Sequence, residues 1–334
     1  RSNIAFVSFV RQELHSQFKI LPQIIENADL VIGSSLMFAL SSITEVMDIR
    51  YRYLAFTPQL FPSRNHPFVT IKTQTLPQWC NRLSWTAASF LDRFNITFLI
   101  NRYRKKWGLA SIKNGWDHIM GDDPIVACDK AIAVVPEDVK KNVIQTGYMH
   151  LNLPDIDQPD LDRFLKNGSR PIYAGFGSMP PKDQEKNIPL FITAARNVGK
   201  RIIITKFWEA CSAYQSSKDV LFIKNYPHLK LFPEMDAVIH HGGAGTTATT
   251  AISGVPQIII PHILDQYFHG QKIYLSHLGP KPIWRSDLSM ESVTRALKEC
   301  LSNPEIIHTA KRIGDSIDPN ESIHLTVQVI EQSF

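Results

Sequence analysis

Apolar residues recur along the chain in two alternating rhythms. From Arg11 to Asn27 they come at helical spacing, with Leu14, Phe18, Leu21 and Ile25 on one face. Asp29–Gly33 then reads as a buried strand, Leu36–Met47 as a helix and Tyr51–Phe56 as another strand. Thr57–Gln78 is rich in proline and breaks the pattern, and an irregular insertion of that length is more often functional than idle. Cys80–Trp107 is helical and heavy in aromatics, suited either to one wall of an apolar pocket or to plain helix packing. Ile125–Ala127 and Ala131–Val135 return to strand character before Thr146-Gly147-Tyr148 closes the first half.

Leu151–Arg170 holds many aspartates and no sustained period, which makes it the linker. Beyond it come strand Pro171–Ala174, helix Asp183–Asn197, and strands Arg201–Thr205, Val220–Ile223 and Asp236–Ile239. Helix Ala244–Ser253, strand Gln257–Ile260 and helix Tyr267–Ser276 follow. Short apolar strands alternating with helices predict an α/β fold of parallel sheets covered by helices. The expectation is two doubly wound domains, 1–150 and 151–318, facing one another across a cleft. Pro319–Phe334 predicts an amphipathic helix with Ile323, Val327 and Ile330 on its apolar side.

Composition narrows the class. A chain of 334 residues exceeds the usual size of one core, and 44% hydrophobic with 20% charged residues describes an ordinary globular protein. The net charge of +5 lies wholly in the first half, where 17 Lys+Arg face 12 Asp+Glu. Four of those cations, Arg102, Arg104, Lys105 and Lys106, follow the aromatic run, which suits either the solvated end of a helix or contact with an anionic membrane surface. The excess is small and no recognition motif accompanies it, so nucleic acid is excluded as a partner. Cys80, Cys128, Cys211 and Cys300 form no CxxC pair, which leaves neither a disulfide framework nor a zinc site. Leu83–Ile100 is interrupted by Asp92 and Arg93, too polar for a membrane span. A cytoplasmic protein, with peripheral membrane contact as the variant, is expected.

The most pointed chemistry lies at Asp236-Ala-Val-Ile-His240-His241-Gly242-Gly243-Ala244-Gly245-Thr246-Thr247. A strand, a glycine turn and a helix start present free backbone N–H groups and a positive dipole end to an anion. Glycines let the backbone come close, Thr246 and Thr247 add hydroxyls, and His240 at the strand end can reach a phosphate oxygen. Other strand ends fall on the same rim: Gly175-Phe176-Gly177-Ser178, Asn225-Tyr226-Pro227-His228 and Pro261-His262-Ile263-Leu264-Asp265-Gln266. Each alone is compatible with a plain turn. Together, a phosphate cradle beside Asp265 and Gln266, a carboxylate and an amide suited to sugar hydroxyls, describe a site for a nucleotide sugar.

His240–Thr247, then Gly254-Val255-Pro256-Gln257 and Asp265-Gln266, resemble the donor signature of nucleotide-sugar-dependent glycosyltransferases of the GT-B fold. Gly175–Ser178, Phe207-Trp208 and Leu278–Ile283 narrow the resemblance to the branch of sterol 3-β-glucosyltransferases and bacterial glycopeptide and macrolide glycosyltransferases. The resemblance covers the second half almost continuously. In the first half it rests on Phe56-Thr57-Pro58 and Arg64–Phe68, similar to the acceptor region of sterol glucosyltransferases. It implies an inverting transferase that moves a hexose, glucose from UDP-glucose, to a hydroxyl of an apolar acceptor such as a sterol, lipid or polyketide. His240 would contact the α-phosphate and the turn Gly243, Ala244, Gly245, Thr246 and Thr247 the β-phosphate, with Gly242, Ser178 and His228 also at the donor. Trp208, Asn225 and Tyr226 would take the base and ribose, although plant relatives have a tryptophan where Asn225 stands. No cofactor and no metal are implied, because helix dipole and backbone donors stabilise the leaving diphosphate. The final helix would cross back onto the first domain.

The resemblance also implies an opening strand and a glycine turn carrying the catalytic base, and neither has a counterpart after Arg1; part of the acceptor domain is therefore expected to lie outside this sequence. His66 is the nearest substitute for the base. Two other functions stay open at this point: a sugar-nucleotide 2-epimerase, which would want further carboxylates in the cleft beside Asp265, and a nucleotide-sugar-binding protein without turnover.

Overall fold

The structure, a computed structural model, describes residues 2–154, 156–177, 184–205, 214–224 and 226–332. The chain opens with α1 (Ser2–Ile25), β1 (Leu30–Ser34), α2 (Leu40–Met47) and β2 (Arg50–Ala55). A proline-rich excursion leads to α3 (Gln78–Phe94), α4 (Ile96–Lys106) and α5 (Gly115–Ile119), then β3 (Ile125–Val126) and β4 (Ile144–Gln145). The four strands form one sheet in sequence order, every pair parallel. Next come α6 (Pro159–Lys166), β5 (Ile172–Gly175), α7 (Gln184–Asn197), β6 (Ile202–Thr205), β7 (Val220–Ile223) and α8 (His228–Leu231). β8 (Ala237–His240), α9 (Ala244–Ile252), β9 (Gln257–Ile259) and α10 (Gln266–Leu275) follow, then α11 (Met290–Ser302), α12 (Pro304–Ser316) and α13 (Pro319–Glu331). The second sheet, also parallel, has the order β7-β6-β5-β8-β9. Its strands are buried on both faces, hence the unbroken apolar runs that stand for them in the sequence.

Local chemistry departs from the periodicity in four places. The helical stretch 80–107 is two helices, broken at Asn95, where φ −115° and ψ −96° leave the helical region. Ala131–Val135 is not a strand: the N–H groups of Ile132 and Ala133 both go to the carbonyl of Asp129 at 2.9 and 3.1 Å. The Gln145 amide then plugs the turn, donating to the carbonyls of Cys128 and Ala133 at 2.7 Å each. The linker contains α6, because Pro159 starts a helix at N1, Asp160 and Asp162 favour its positive end, and Leu161 and Phe164 bury. On α13 the buried positions are Ser322, Thr326 and Val329, while Val327 is exposed. That helix is held by Thr326 Oγ1, which donates to Thr146 Oγ1 at 2.8 Å, and by the bare Gly147, beside which only a small residue such as Ser322 fits.

Of the four clustered cations, Arg104 is buried. Its guanidinium takes both oxygens of Glu45, at 2.6 and 2.9 Å, and the carbonyl of Ala110 at 2.8 Å. That fork keeps the Glu45 carboxyl below its usual range and ties α4 to α2. The exposed cations are thus Arg102, Lys105 and Lys106. The first core continues into the second half through Ala248, Phe268 and Ile313, so the two sheets share packed surface.

Candidate functional site

Strand order fixes where a ligand can sit. From β5 the chain runs outward to β6 and β7, then returns to place β8 on the other side of β5. Chain connections therefore diverge between β5 and β8, leaving a crevice beyond their carboxyl ends. Gly175, last in β5, is in register with His240, last in β8. Two glycine turns leave those strands side by side, at Gly175–Gly177 and at Gly242-Gly243.

The turn after β8 is shaped by its glycines. Gly242 has φ +87°, and a β-carbon on it would come within 2.8 Å of Ile259 and 3.1 Å of the Gln266 carbonyl. Gly243 then stands at the N-cap of α9, which has no side-chain cap. Ala244, Gly245 and Thr246 are half-buried residues, and the N–H groups of a first helical turn have no intrahelical partner and aim along the helix axis, the arrangement that attracts an anion.

The two histidines divide the work differently from the expectation. His240 is fully buried and both of its ring nitrogens are used. Its Nδ1 accepts from the Gly242 N–H at 3.1 Å, so the proton sits on Nε2, which donates to Gln257 Oε1 at 2.9 Å. Burial, joined by the neighbouring His241, lowers its pKa to about 3. His240 is thus a brace for the turn and leaves no nitrogen for a phosphate. His241 is the ring on the crevice side: a β-carbon on Gly177 would lie 3.2 Å from its Cε1, and one on Gly243 2.5 Å from its Nε2. Its Nδ1 has no hydrogen-bond partner among the described residues. Burial and the nearby His262 lower its pKa to about 4. Sequence alone did not separate the pair, although one signal was there: the last residue of a strand buried on both faces points into the protein, and the next begins the turn.

Other expected site residues fall as follows. Thr246 is half-exposed at the helix start, whereas Thr247 Oγ1 is buried without a partner among the described residues. Asp265 is partly exposed at the start of α10 and its carboxylate caps no backbone group. Gln266 is buried, its Oε1 accepting from the N–H groups of His262 at 2.8 Å and Ile263 at 3.0 Å, so its oxygen shapes the loop and is withheld from a sugar. His228 stacks on Phe232 and bonds Tyr173 Oη at 3.1 Å, and it is the Tyr173 hydroxyl that lies against Gly175; burial lowers the pKa of His228 to about 4. Tyr226 is half-buried beside it. Ser178, Trp208 and Asn225 lie outside the described residues.

His66 does not serve as a base here. At 3% exposure its ring is enclosed edge-on by Trp85 and by Phe268 of the second half, with its pKa lowered by burial to about 4. The proline-rich excursion packs there, and no face of the ring is open to a substrate.

The first half supplies a carboxylate that the sequence reading missed. Asp129, 6% exposed, lines a small cavity with Phe56 and Tyr148 on one side and Ala244, Thr247 and His269 on the other. Its Oδ1 accepts from the Tyr148 N–H at 3.3 Å, and its Oδ2 has no partner among the described residues. Tyr148 Oη lies directly under Gly245, where a β-carbon would come within 2.6 Å. Burial pushes the Asp129 carboxyl up from 3.8 to about 6. A raised carboxyl means that the folded protein holds more protons than the unfolded chain between those values. Stability therefore falls as pH rises through this window, and the whole cost is present above about 6. Asp129→Asn is expected to stabilise the protein on the order of 3 kcal/mol at pH 7.5 and by little at pH 4. Urea unfolding at the two pH values checks this; equal effects at both would show that the carboxylate is not the source.

Comparison with known proteins adds ancestry to this geometry. The family described as "Erythromycin biosynthesis protein CIII-like, C-terminal domain" matches residues 191–322. A sterol 3-beta-glucosyltransferase of Arabidopsis thaliana is 32% identical over 290 residues, covering 84% of this chain and 46% of its own length. The vancomycin aglycone glucosyltransferase of Amycolatopsis orientalis is 30% identical over 325 residues, covering 92% of this chain and 76% of its own. Among solved structures, the glycosyltransferase of kitacinnamycin superposes with a TM-score of 0.73 at 14% identity, over 98% of this chain and 82% of that one. The calicheamicin glycosyltransferase CalG4 gives 0.69 at 14% identity, over 99% and 81%. Both are similar in fold, with the paired sheets of the GT-B architecture.

Proposed function

The chain belongs to the glycosyltransferase family that includes the vancomycin aglycone glucosyltransferase, and we propose that it transfers glucose from UDP-glucose, with inversion, to a hydroxyl of a sterol-like apolar acceptor. One observation carries the donor half of this reading: the uncapped start of α9 opens beside the His241 ring, whose Nδ1 has no partner among the described residues, at the point where the strand order reverses. A diphosphate there would take the first-turn N–H groups of Ala244, Gly245 and Thr246. The neutral His241 ring would donate one N–H to it. Asp265 would accept from sugar hydroxyls.

As the acceptor oxygen bonds to the anomeric carbon from the opposite face, its hydroxyl proton goes to a base for which no described residue is assigned, the bond to the diphosphate breaks, and negative charge grows on the leaving oxygen. The helix start and His241 already face that charge, so little reorganisation accompanies the step, and no metal ion is assigned a part. Related solved structures at 17% and 14% identity, VinC and the rhamnosyltransferase SpnG, carry thymidine diphosphate, which agrees with a nucleoside diphosphate here while leaving uracil as our assignment. The sterol-like acceptor rests on the Arabidopsis relative, of whose length this chain spans 46%.

Calorimetry with UDP, UDP-glucose and TDP-glucose tests the donor assignment, and mass spectrometry of sterols incubated with UDP-glucose tests the acceptor. UDP binding together with a hexose-bearing sterol is the expected result, unchanged by EDTA. Absence of nucleotide binding would sink the proposal; binding with preference for TDP-glucose would overturn the uracil assignment alone.

A further inference from the structure

Helix α3 turns Asn81 and Trp85 inward and leaves its opposite face bare. Trp79 is 67% exposed, Phe90 58% and Phe94 68%, with Leu83 exposed between them. At 3.6 residues per turn these four project within a sector of about 60°. Phe90 and Phe94 touch one another, ring centroids 5.4 Å apart. Phe98, exposed at the start of α4, extends the patch past the break at Asn95. Isolated exposed apolar residues are ordinary, but a contiguous aromatic stripe on one helix is not.

Charge says what covers it. Arg82 and Arg93, both exposed, fall on one edge of the stripe, and Arg102, Lys105 and Lys106 are exposed further along α4. The one carboxylate on these two helices, Asp92, turns away: its Oδ2 accepts from Thr97 Oγ1 at 2.6 Å and from the Gly115 N–H at 3.1 Å. An apolar face rimmed by cations and free of anions is complementary to a surface that is apolar inside and negative at its boundary. We propose that the α3 face docks on an anionic lipid bilayer, with the helix lying in the plane of the interface. Trp79 would sit at headgroup depth, Phe90 and Phe94 deeper, and the arginines among the phosphates. Among the described residues no helix is long and apolar enough to cross a membrane. Docking of this kind stands apart from the donor site. Only its use, collection of an apolar acceptor from the bilayer, rests on the proposed function.

Sedimentation with phosphatidylcholine vesicles, with and without phosphatidylserine, tests it. The chain is expected to bind the phosphatidylserine vesicles and to leave them as salt is raised. Phe90→Ser with Phe94→Ser should weaken binding about tenfold or more, and Arg82→Glu with Arg93→Glu should remove the preference for phosphatidylserine. All four side chains are exposed, so an unchanged melting temperature is expected and separates lost docking from lost fold. No binding by the unaltered chain, or equal binding by both double variants, overturns the proposal. So does a dimer of the unaltered chain that the Phe90/Phe94 variant dissociates, because a second copy would then cover the face. The assay contains no nucleotide, so its failure and that of the donor assignment are read separately.

Discussion

Replacing His241 by alanine is expected to weaken UDP binding roughly 10- to 100-fold while lowering stability less than His240→Ala does. The ring is buried against two bare glycines but its Nδ1 bonds to nothing among the described residues, so truncation costs the fold packing and no hydrogen bond at that nitrogen. A hydrogen bond to a charged diphosphate contributes about 1.5–3 kcal/mol, which sets the expected loss. His240→Ala should behave in the opposite order. It removes a fully buried ring that joins the Gly242 N–H to Gln257, whose amide reaches on to the Thr247 carbonyl at 3.4 Å. Stability should fall first, by about 2–4 kcal/mol, and affinity only as the turn loosens. Calorimetry and thermal unfolding on both variants decide the matter; a His240→Ala protein of unchanged stability with lost affinity would return the phosphate contact to His240.

The pH dependence supplies a second check on the same ring. Free His241 is neutral at physiological pH because burial holds its pKa near 4. A diphosphate beside it favours the charged form and raises that pKa in the complex. Affinity should therefore increase as pH falls through the raised value, and His241→Ala should flatten this rise.

Much of this was legible in the chain because two periodicities coincide with special residues. The apolar run 236–239, the paired glycines and the small residues after them dictate a strand, a tight turn and an open helix start. No other residue type would permit φ +87° at Gly242 with Ile259 and the Gln266 carbonyl so near. What stayed hidden depends on partners distant in sequence. Ala131–Val135 has strand composition, yet Gln145 supplies its carbonyl partners and holds it as a turn. Two of the three buried positions of α13, Ser322 and Thr326, are polar because they meet Gly147 and Thr146, a contact no hydrophobic pattern encodes. Asp129 reads as a surface acid until Tyr148 and α9 enclose it. His66, in a proline-rich stretch, reads as a loop residue until Phe268 from the other half covers it.

Gly279→Ala is expected to destabilise the protein by about 3 kcal/mol or more, the largest effect of a single methyl group anticipated here. The segment after α10 runs back along β9 so closely that a β-carbon on Gly279 would stand 1.9 Å from the Gln257 carbonyl oxygen, while the Gln257 N–H donates to Leu278 at 3.0 Å. No rotation can relieve such a clash, because the backbone fixes the position of the β-carbon and the oxygen is itself a backbone atom, so either β9 or the return segment must move. Movement of β9 carries Gln257 away from His240, and the loss should reach the donor turn as well as the core. Gly199→Ala is the control. That glycine has φ +67° with open space around it, so alanine there costs only the backbone strain, about 1–2 kcal/mol, and leaves UDP affinity alone. Melting curves and UDP titrations on the two variants separate close packing from backbone strain; equal losses of stability, or a Gly279→Ala protein with full affinity, would mean that the return segment does not support the turn through Gln257.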